Sequence, residues 1–311
     1  MSGKVLIAAA IHEVLREGLE REGYELLFRE TVTQQEAFDI LPDCVGVITS
    51  TRLILDKGLI ERAPLLKWIG RMGSGMEIID VPFAVSRGIL CVSSPEGNSN
   101  AVGEHALGLL LSLSKKIASS SLEVREGKWI RDANRGFELE GKTVGLIGFG
   151  HTGKAFARKL SGFDVNILAY DIDPEVRPVG SVALLDNLER IFAEADIVSF
   201  HVPLKPDTNH LFDAAFLSCM KKPFVLLNTS RGPVVNTAVV LEGLLEKKIV
   251  AAGLDVLEVE PPSGMGIELK AATDKLLSLP NVIITPHIAG YSNEAVFKMS
   301  SLILQRIVTP A

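Results

Sequence analysis

Short apolar runs alternate along this chain with stretches in which apolar residues recur every three or four positions. The runs "KVLIAAA" (4–10), "YELLF" (24–28), "CVGVITS" (44–50), "LLKWIG" (65–70) and "GILCVSS" (88–94) are continuous rather than alternating. Strands covered by helices on both faces have this pattern, so these runs predict a parallel sheet. The segments between them, "HEVLREGLEREG" (12–23, ending at Gly23), "DKGLIERA" (56–63) and "DVPFAVSRG" (80–88), predict helices. Residues 1 to about 98 therefore read as one small α/β unit.

A long helical stretch, "NAVGEHALGLLLSLSKKIASSSLEVREGKW" (100–129), follows, with a wide apolar face and many small residues. It reads as a bridge to a second α/β run. Strands are predicted there at "TVGLIG" (143–148), "VNILAYD" (165–171), "DIVSFHV" (196–202), "FVLLNTS" (224–230), "AAGLDV" (251–256) and "NVIITP" (281–286). Helices are predicted between them, including "GKAFARKLSG" (153–162) and "NTAVVLEGLLEKK" (236–248). The last segment, "SNEAVFKMSSLILQRIV" (292–308), reads as a helix returning to the first domain. The pattern is that of two α/β domains with parallel sheets.

Composition narrows the function classes. The chain has 311 residues, 47% hydrophobic and 23% charged, which suits two globular domains. A net charge of −6 supplies no basic excess for nucleic acid. Cys44, Cys91 and Cys219 are far apart and form no C-x-x-C pair, which argues against a disulfide framework or a metal knuckle and for a reducing compartment. His12 and Glu13 interrupt the apolar run near the start, so it does not read as a signal peptide. No run approaches the roughly 18 residues of a membrane span. The expectation is a cytoplasmic protein with no membrane or nucleic-acid partner and no metal.

One segment carries recognisable chemistry. In "TVGLIGFGHTGKAFARKL" (143–160), Gly148, Gly150 and Gly153 form G-x-G-x-x-G between an apolar strand and an amphipathic helix, and a second strand ends at Asp171. This is the arrangement of a dinucleotide-binding turn. Gly148 permits the tight turn, Gly150 lets backbone approach a pyrophosphate, and Gly153 lets helix pack on strand. The helix N-terminus, with His151 and Thr152, offers N–H groups to phosphates; His151 either contacts them through its side chain or points to solvent. Asp171 would accept hydrogen bonds from the ribose and repel a 2′-phosphate, favouring NAD over NADP. His201, in "FHVPLKPDT", lines the cofactor cleft or caps a strand end. His287, in "IITPHIAG" (283–290), sits where a buried strand ends. Taken alone it is either a packed residue or a proton carrier at the mouth of a cleft.

The segments "LEGKTVGLIGFGHTG" (139–153), "HVPLKPDTNHLF" (201–212), "LLNTSRGPVVN" (226–236), "AAGLDVLEVEPP" (251–262) and "NVIITPHIAG" (281–290) together resemble the successive signatures of the D-2-hydroxyacid dehydrogenase family. "RMGSGMEIID" (71–80) and "EGNSNAVGEHALGLLLSL" (96–113) extend the resemblance towards residue 70. It implies two Rossmann-like or flavodoxin-like domains: a substrate domain (1–99 plus 290–311) and an NAD-binding domain (100–289), with a cleft between them. It also implies a catalytic trio of Arg231, Glu260 and His287, cofactor contacts that include Asp255, and a homodimer built around 100–129.

The chemistry suits those roles. A 2-hydroxy acid must lose its hydroxyl proton as hydride leaves the same carbon, and histidine can take that proton or return it. Glu260 would stabilise the imidazolium, and Arg231 would grip the substrate carboxylate through paired hydrogen bonds. The backbone N–H groups of Ser74 and Gly75 would hold the carboxylate's other side. The family often has Asn-Ile-Asp after that loop, where this chain has "MEIID" with Glu77, and His151 replaces a usual arginine or asparagine. The resemblance leans towards 3-phosphoglycerate/phosphohydroxypyruvate as substrate pair. Glyoxylate or hydroxypyruvate reductase and a non-enzymatic NAD-sensing binding protein stay open.

Overall fold

The continuous apolar runs Cys44–Thr49, Thr143–Ile147 and Phe224–Asn228 become strands buried on both faces. In a computed structural model, which describes residues 3–309, the chain divides into two compact units. One holds the residues up to 101 together with those from 290; the other is Val102–Ala289.

The first unit contains β1 (Gly3–Ile7), β2 (Tyr24–Phe28), β3 (Cys44–Thr49), β4 (Trp68–Arg71) and β5 (Leu90–Val92) in a parallel sheet ordered β2-β1-β3-β4-β5. Side chains alternate across a strand. Val5 and Ile7 of β1 accordingly pack with Leu15, Leu19, Met299 and Ile303, on the helices Glu13–Arg21 and Asn293–Val308. Leu6 joins Ala37, Leu59, Ile60 and Ala84 on the opposite face.

The second unit holds β6 (Thr143–Ile147), β7 (Asn166–Tyr170), β8 (Ala183–Leu185), β9 (Ile197–Phe200), β10 (Phe224–Asn228), β11 (Ile249–Leu254) and β12 (Val282–Ile284). The order is β12-β11-β10-β9-β6-β7-β8, and every pairing is parallel. Phe224 and Leu226 of β10 pack with Phe212, Phe216 and Val240, whereas Val225 and Leu227 face Leu109, Leu110 and Leu113. The chain runs outward from β6 to β8 and then returns to β9 on the other side of β6. The loops after β6 and β9 diverge at that reversal, and open α/β sheets bind ligands in the crevice this leaves at the carboxyl ends of the strands.

Several elements depart from the sequence pattern. The predicted 100–129 helix is two helices, Pro95–Ser114 and Ile117–Arg125, separated at Lys116, whose φ is +53°. The carbonyl of Ser114 accepts the Phe137 N–H at 3.0 Å, so the chain folds back and satisfies the broken helix end. The short β8 and the helices Gln34–Ile40, Glu189–Glu194, Ala214–Cys219 and Ile267–Leu277 were not singled out by periodicity. Gln34–Ile40 is only two turns long, but Thr33 and Glu36 cap it reciprocally. No helix among the described residues is long and apolar enough to cross a membrane.

Candidate active site

The glycine loop leaves β6 at the reversal point. Gly148 has φ +92°, and a Cβ there would lie 2.6 Å from the carbonyl oxygen of His201. At Gly153 a Cβ would lie 2.3 Å from the Gly148 carbonyl oxygen. Both positions require glycine for the protein's own packing. Gly150 differs: a Cβ there meets no protein atom within 4 Å. Its missing side chain leaves open space at the N-terminus of the helix His151–Leu160, where a pyrophosphate would approach. His151 is exposed there and Thr152 half-buried. At the end of β7, Asp171 Oδ2 accepts the Phe149 N–H at 2.6 Å and Oδ1 accepts the Asp173 N–H at 3.0 Å. A carboxylate has about four acceptor sites, so capacity remains for ribose hydroxyls. These residues fit a bound dinucleotide.

Arg231, Glu260 and His287 sit on three loops after β10, β11 and β12. The Asn228 side-chain amide donates to the Arg231 carbonyl at 2.9 Å, and its Oδ1 accepts from the Ser230 N–H and hydroxyl. Gly232 follows because a Cβ there would lie 1.8 Å from the carbonyl oxygen of Leu257. That approach seats the Arg231 loop on the loop after β11, where the Leu257 N–H donates to Glu260 Oε1 at 2.9 Å. Glu260 Oε2 lies 2.7 Å from His287 Nδ1, and both side chains are about one-third exposed. Burial pushes the Glu260 carboxyl up, but His287, the Leu257 N–H and the Arg231 charge together outweigh it and hold the group below the usual glutamate range. An ionised Glu260 only accepts, so Nδ1 of His287 carries the hydrogen between them. Nε2 of His287 has no partner among the described residues.

His287 itself has φ +55°. A left-handed conformation costs a non-glycine residue about 1–2 kcal/mol, so its surroundings must impose it. Its N–H donates to the carbonyls of Asp255 (2.8 Å) and Thr285 (3.0 Å). The Asp255 carboxylate accepts from the Thr285 hydroxyl (2.6 Å) and the N–H groups of Ile288 (2.9 Å) and Ala289 (2.8 Å). Asp255 was expected among the cofactor contacts; it is instead 1% exposed, and its carboxylate anchors the turn that carries His287.

His201, expected to line the cofactor cleft or to cap a strand end, is likewise turned inward. Its Nε2 lies 2.9 Å from the Ser199 hydroxyl, its ring packs 5.5 Å from that of Phe156, and burial pushes its imidazole down to about 3. It supports the glycine loop as a neutral core residue. Ser74 and Gly75 belong to the other unit, half-buried in the loop after β4, where the Gly73 N–H donates to Ser94 Oγ at 3.3 Å. Thr285 and His105 lie within the segments 281–290 and 96–113, yet nothing in their spacing marks them out. Among the described residues, no group of three or more His, Cys, Asp or Glu side chains is placed to hold a metal ion.

Residues 107–289 match the family model described as "D-isomer specific 2-hydroxyacid dehydrogenase, NAD binding domain". The chain belongs to the D-isomer-specific 2-hydroxyacid dehydrogenase family. It is 34% identical, over 99% of its length, to a D-3-phosphoglycerate dehydrogenase of Archaeoglobus fulgidus. This chain spans only 57% of that relative's length, and 56% of a like-named Methanocaldococcus jannaschii relative. It is 36% identical to a hydroxypyruvate reductase of Thermotoga maritima, over 93% of this chain and 94% of that protein. Among solved structures, the apo form of D-lactate dehydrogenase from Escherichia coli superposes with a TM-score of 0.80 at 28% identity, covering 98% of this chain and 95% of that one. Family membership is thus shared with proteins named for several different 2-hydroxy or 2-keto acids.

Proposed function

We propose that this chain is an NAD-dependent dehydrogenase of D-2-hydroxy acids, with 3-phosphoglycerate and phosphohydroxypyruvate as the leading substrate pair. The 2.7 Å pairing of His287 Nδ1 with Glu260 carries the reading, because it leaves Nε2 to exchange the proton on the substrate oxygen. Glu260 orients the ring and stabilises its charged form. Arg231 binds the substrate carboxylate. NAD, when bound, takes up or supplies the hydride. Gly148, Gly150, His151, Thr152 and Gly153 would hold its pyrophosphate, and Asp171 its ribose. We assign the cofactor to the unit Val102–Ala289.

Hydroxypyruvate or glyoxylate is the second reading, supported by the 36% identity to a hydroxypyruvate reductase. The deciding experiment follows NADH oxidation at 340 nm with phosphohydroxypyruvate, hydroxypyruvate, glyoxylate, pyruvate and 2-oxoglutarate, each repeated with NADPH. Turnover with one of them names the substrate group. Tight NADH binding without any turnover overturns the enzyme reading in favour of an NAD-sensing protein. Asp171→Ala is expected to weaken NADH binding and lower the NADH/NADPH preference about tenfold or more, since each ionic hydrogen bond is worth about 1.5–3 kcal/mol. An unchanged ratio counts against its role.

We further propose a homodimer built on the 100–129 region. The exposed Ile117, Leu122, Val124 and Trp129, the last 81% exposed, supply an apolar surface for it. A monomeric mass by sedimentation removes that assignment. Three free cysteines support a cytoplasmic location.

A further inference from the structure

We propose that His105 is a positioning residue for His287, acting through Thr285 and Asp255; this rests on the reading of His287 as the proton carrier. His105, on the helix Pro95–Ser114, places Nε2 3.0 Å from Thr285 Oγ1 and 3.4 Å from Asp255 Oδ1. The Thr285 hydroxyl lies 2.6 Å from the same Oδ1. A hydroxyl has one hydrogen. Once Thr285 gives it to the carboxylate its lone pairs can only accept, so His105 Nε2–H is the donor. The chain of bonds therefore runs one way, from His105 to Thr285 to Asp255.

Asp255 ends that chain and begins the turn. Its Oδ1 also accepts the Ile288 N–H, its Oδ2 the Ala289 N–H, and its own carbonyl the His287 N–H. Residues on both sides of His287 are thus tied to one carboxylate that is 1% exposed. A buried carboxylate with all these donors in place fixes a single arrangement of the turn, whereas one that loses a donor re-pairs. His287 is sensitive to such a change because its backbone is held in the left-handed region, at φ +55°. A small rotation there swings Nδ1 away from Glu260. Placement errors near 1 Å cost about 10²-fold in rate.

His105 touches neither Glu260 nor the imidazole of His287 in any bond described, so its effect belongs in kcat rather than in binding. The test compares His105→Leu and Thr285→Val with His105→Gln and Thr285→Ser, the second pair keeping a side-chain donor or hydroxyl. Each is assayed for kcat and KM with the best keto acid, for NADH Kd by fluorescence, and for the ring 15N shifts of His287 by NMR. The expected result is a kcat loss of about 10- to 100-fold in His105→Leu and Thr285→Val. KM and NADH Kd should stay within about threefold in the same proteins, and most of the rate should return in the conservative pair. The Nδ1 shift of His287 should move in the first pair and stay near wild type in the second. Unchanged kcat and unchanged His287 shifts in His105→Leu and Thr285→Val overturn the proposal. Equal losses of kcat, NADH binding and melting temperature in all four variants overturn it too, because they mark a merely structural contact. Failure of the underlying reading looks different: His287→Ala would then keep full turnover, or the wild type would show none. In the latter case the NMR shifts alone decide whether His105 positions His287.

Discussion

Two histidine–glutamate pairs in this protein share nearly the same geometry and differ in what they can do. His210 Nε2 lies 2.7 Å from Glu258 Oε2, and His287 Nδ1 lies 2.7 Å from Glu260 Oε2. Both histidines are left-handed, at φ +51° and +55°. In the first pair the remaining atoms hold a helix start. Glu258 Oε1 accepts the Thr237 N–H at 2.6 Å, and His210 Nδ1 lies 3.4 Å from the side-chain amide of Asn236, the cap of the helix Thr237–Leu245. In the second pair the glutamate takes Nδ1 and leaves Nε2 available to a substrate. In the proposed reading, the same residue types make a brace or a proton carrier according to whether the protein also engages the remaining ring nitrogen.

The sharpest way to break this comparison is to delete each histidine. His287→Ala is expected to lower kcat by about 10²–10⁴-fold, the usual worth of a positioned acid–base, with NADH binding nearly intact. His210→Ala should leave kcat within about threefold but lower stability by about 1–3 kcal/mol, because the half-buried Glu258 loses a hydrogen-bond partner. Steady-state kinetics and urea titrations of both variants check this; a larger kcat loss at His210 than at His287 reverses the assignment. Next in size is the carboxylate. Glu260→Gln is expected to cost about 10²-fold in kcat by loosening the imidazole, against a small kcat effect for Glu258→Gln.

Arg231→Lys should raise KM for the keto acid about 30-fold, the loss of roughly 2 kcal/mol when a paired ionic contact becomes single. A change confined to kcat would show that Arg231 does not hold the ground-state carboxylate. The smallest effect is on stability against pH. The Glu260 carboxyl lies below its ordinary range in the folded state, so its ionised form favours folding. That contribution is present above the unfolded value and is lost as pH falls through the folded one. The melting temperatures of wild type and Glu260→Gln should therefore converge as pH drops from 7 to below the ordinary glutamate range. A gap that widens on acidification contradicts the direction of the shift.

The legibility of these features followed how local they are. The glycine loop is contiguous, 148–153, with Asp171 one strand later, and its chemistry depends on backbone turns that a short segment specifies. The alternation of apolar runs with amphipathic ones likewise showed two parallel α/β domains, since burial on both faces writes itself into the central strands. Other features were not visible. The break at Lys116 depends on Phe137, more than twenty residues on, supplying the N–H that ends the helix. The Asp255 carboxylate was expected to face a cofactor, yet the donors it accepts from belong to residues 285, 288 and 289. His201 sits at a strand end like its neighbours, but the pleat turns its ring into the core beside Phe156.

By itself the sequence determined the fold class, the family and the residue types from which a hydride-transfer site can be made, because periodicity and contiguous motifs are properties of neighbours along the chain. Only the tertiary structure decided which of two nearby glutamates meets which histidine, and through which nitrogen. It also decided that a buried aspartate holds the turn beneath His287. Those outcomes depend on strand order and on turns at the ends of β10, β11 and β12, where residues as far as 180 positions apart, such as His105 and Thr285, are brought into hydrogen-bond contact.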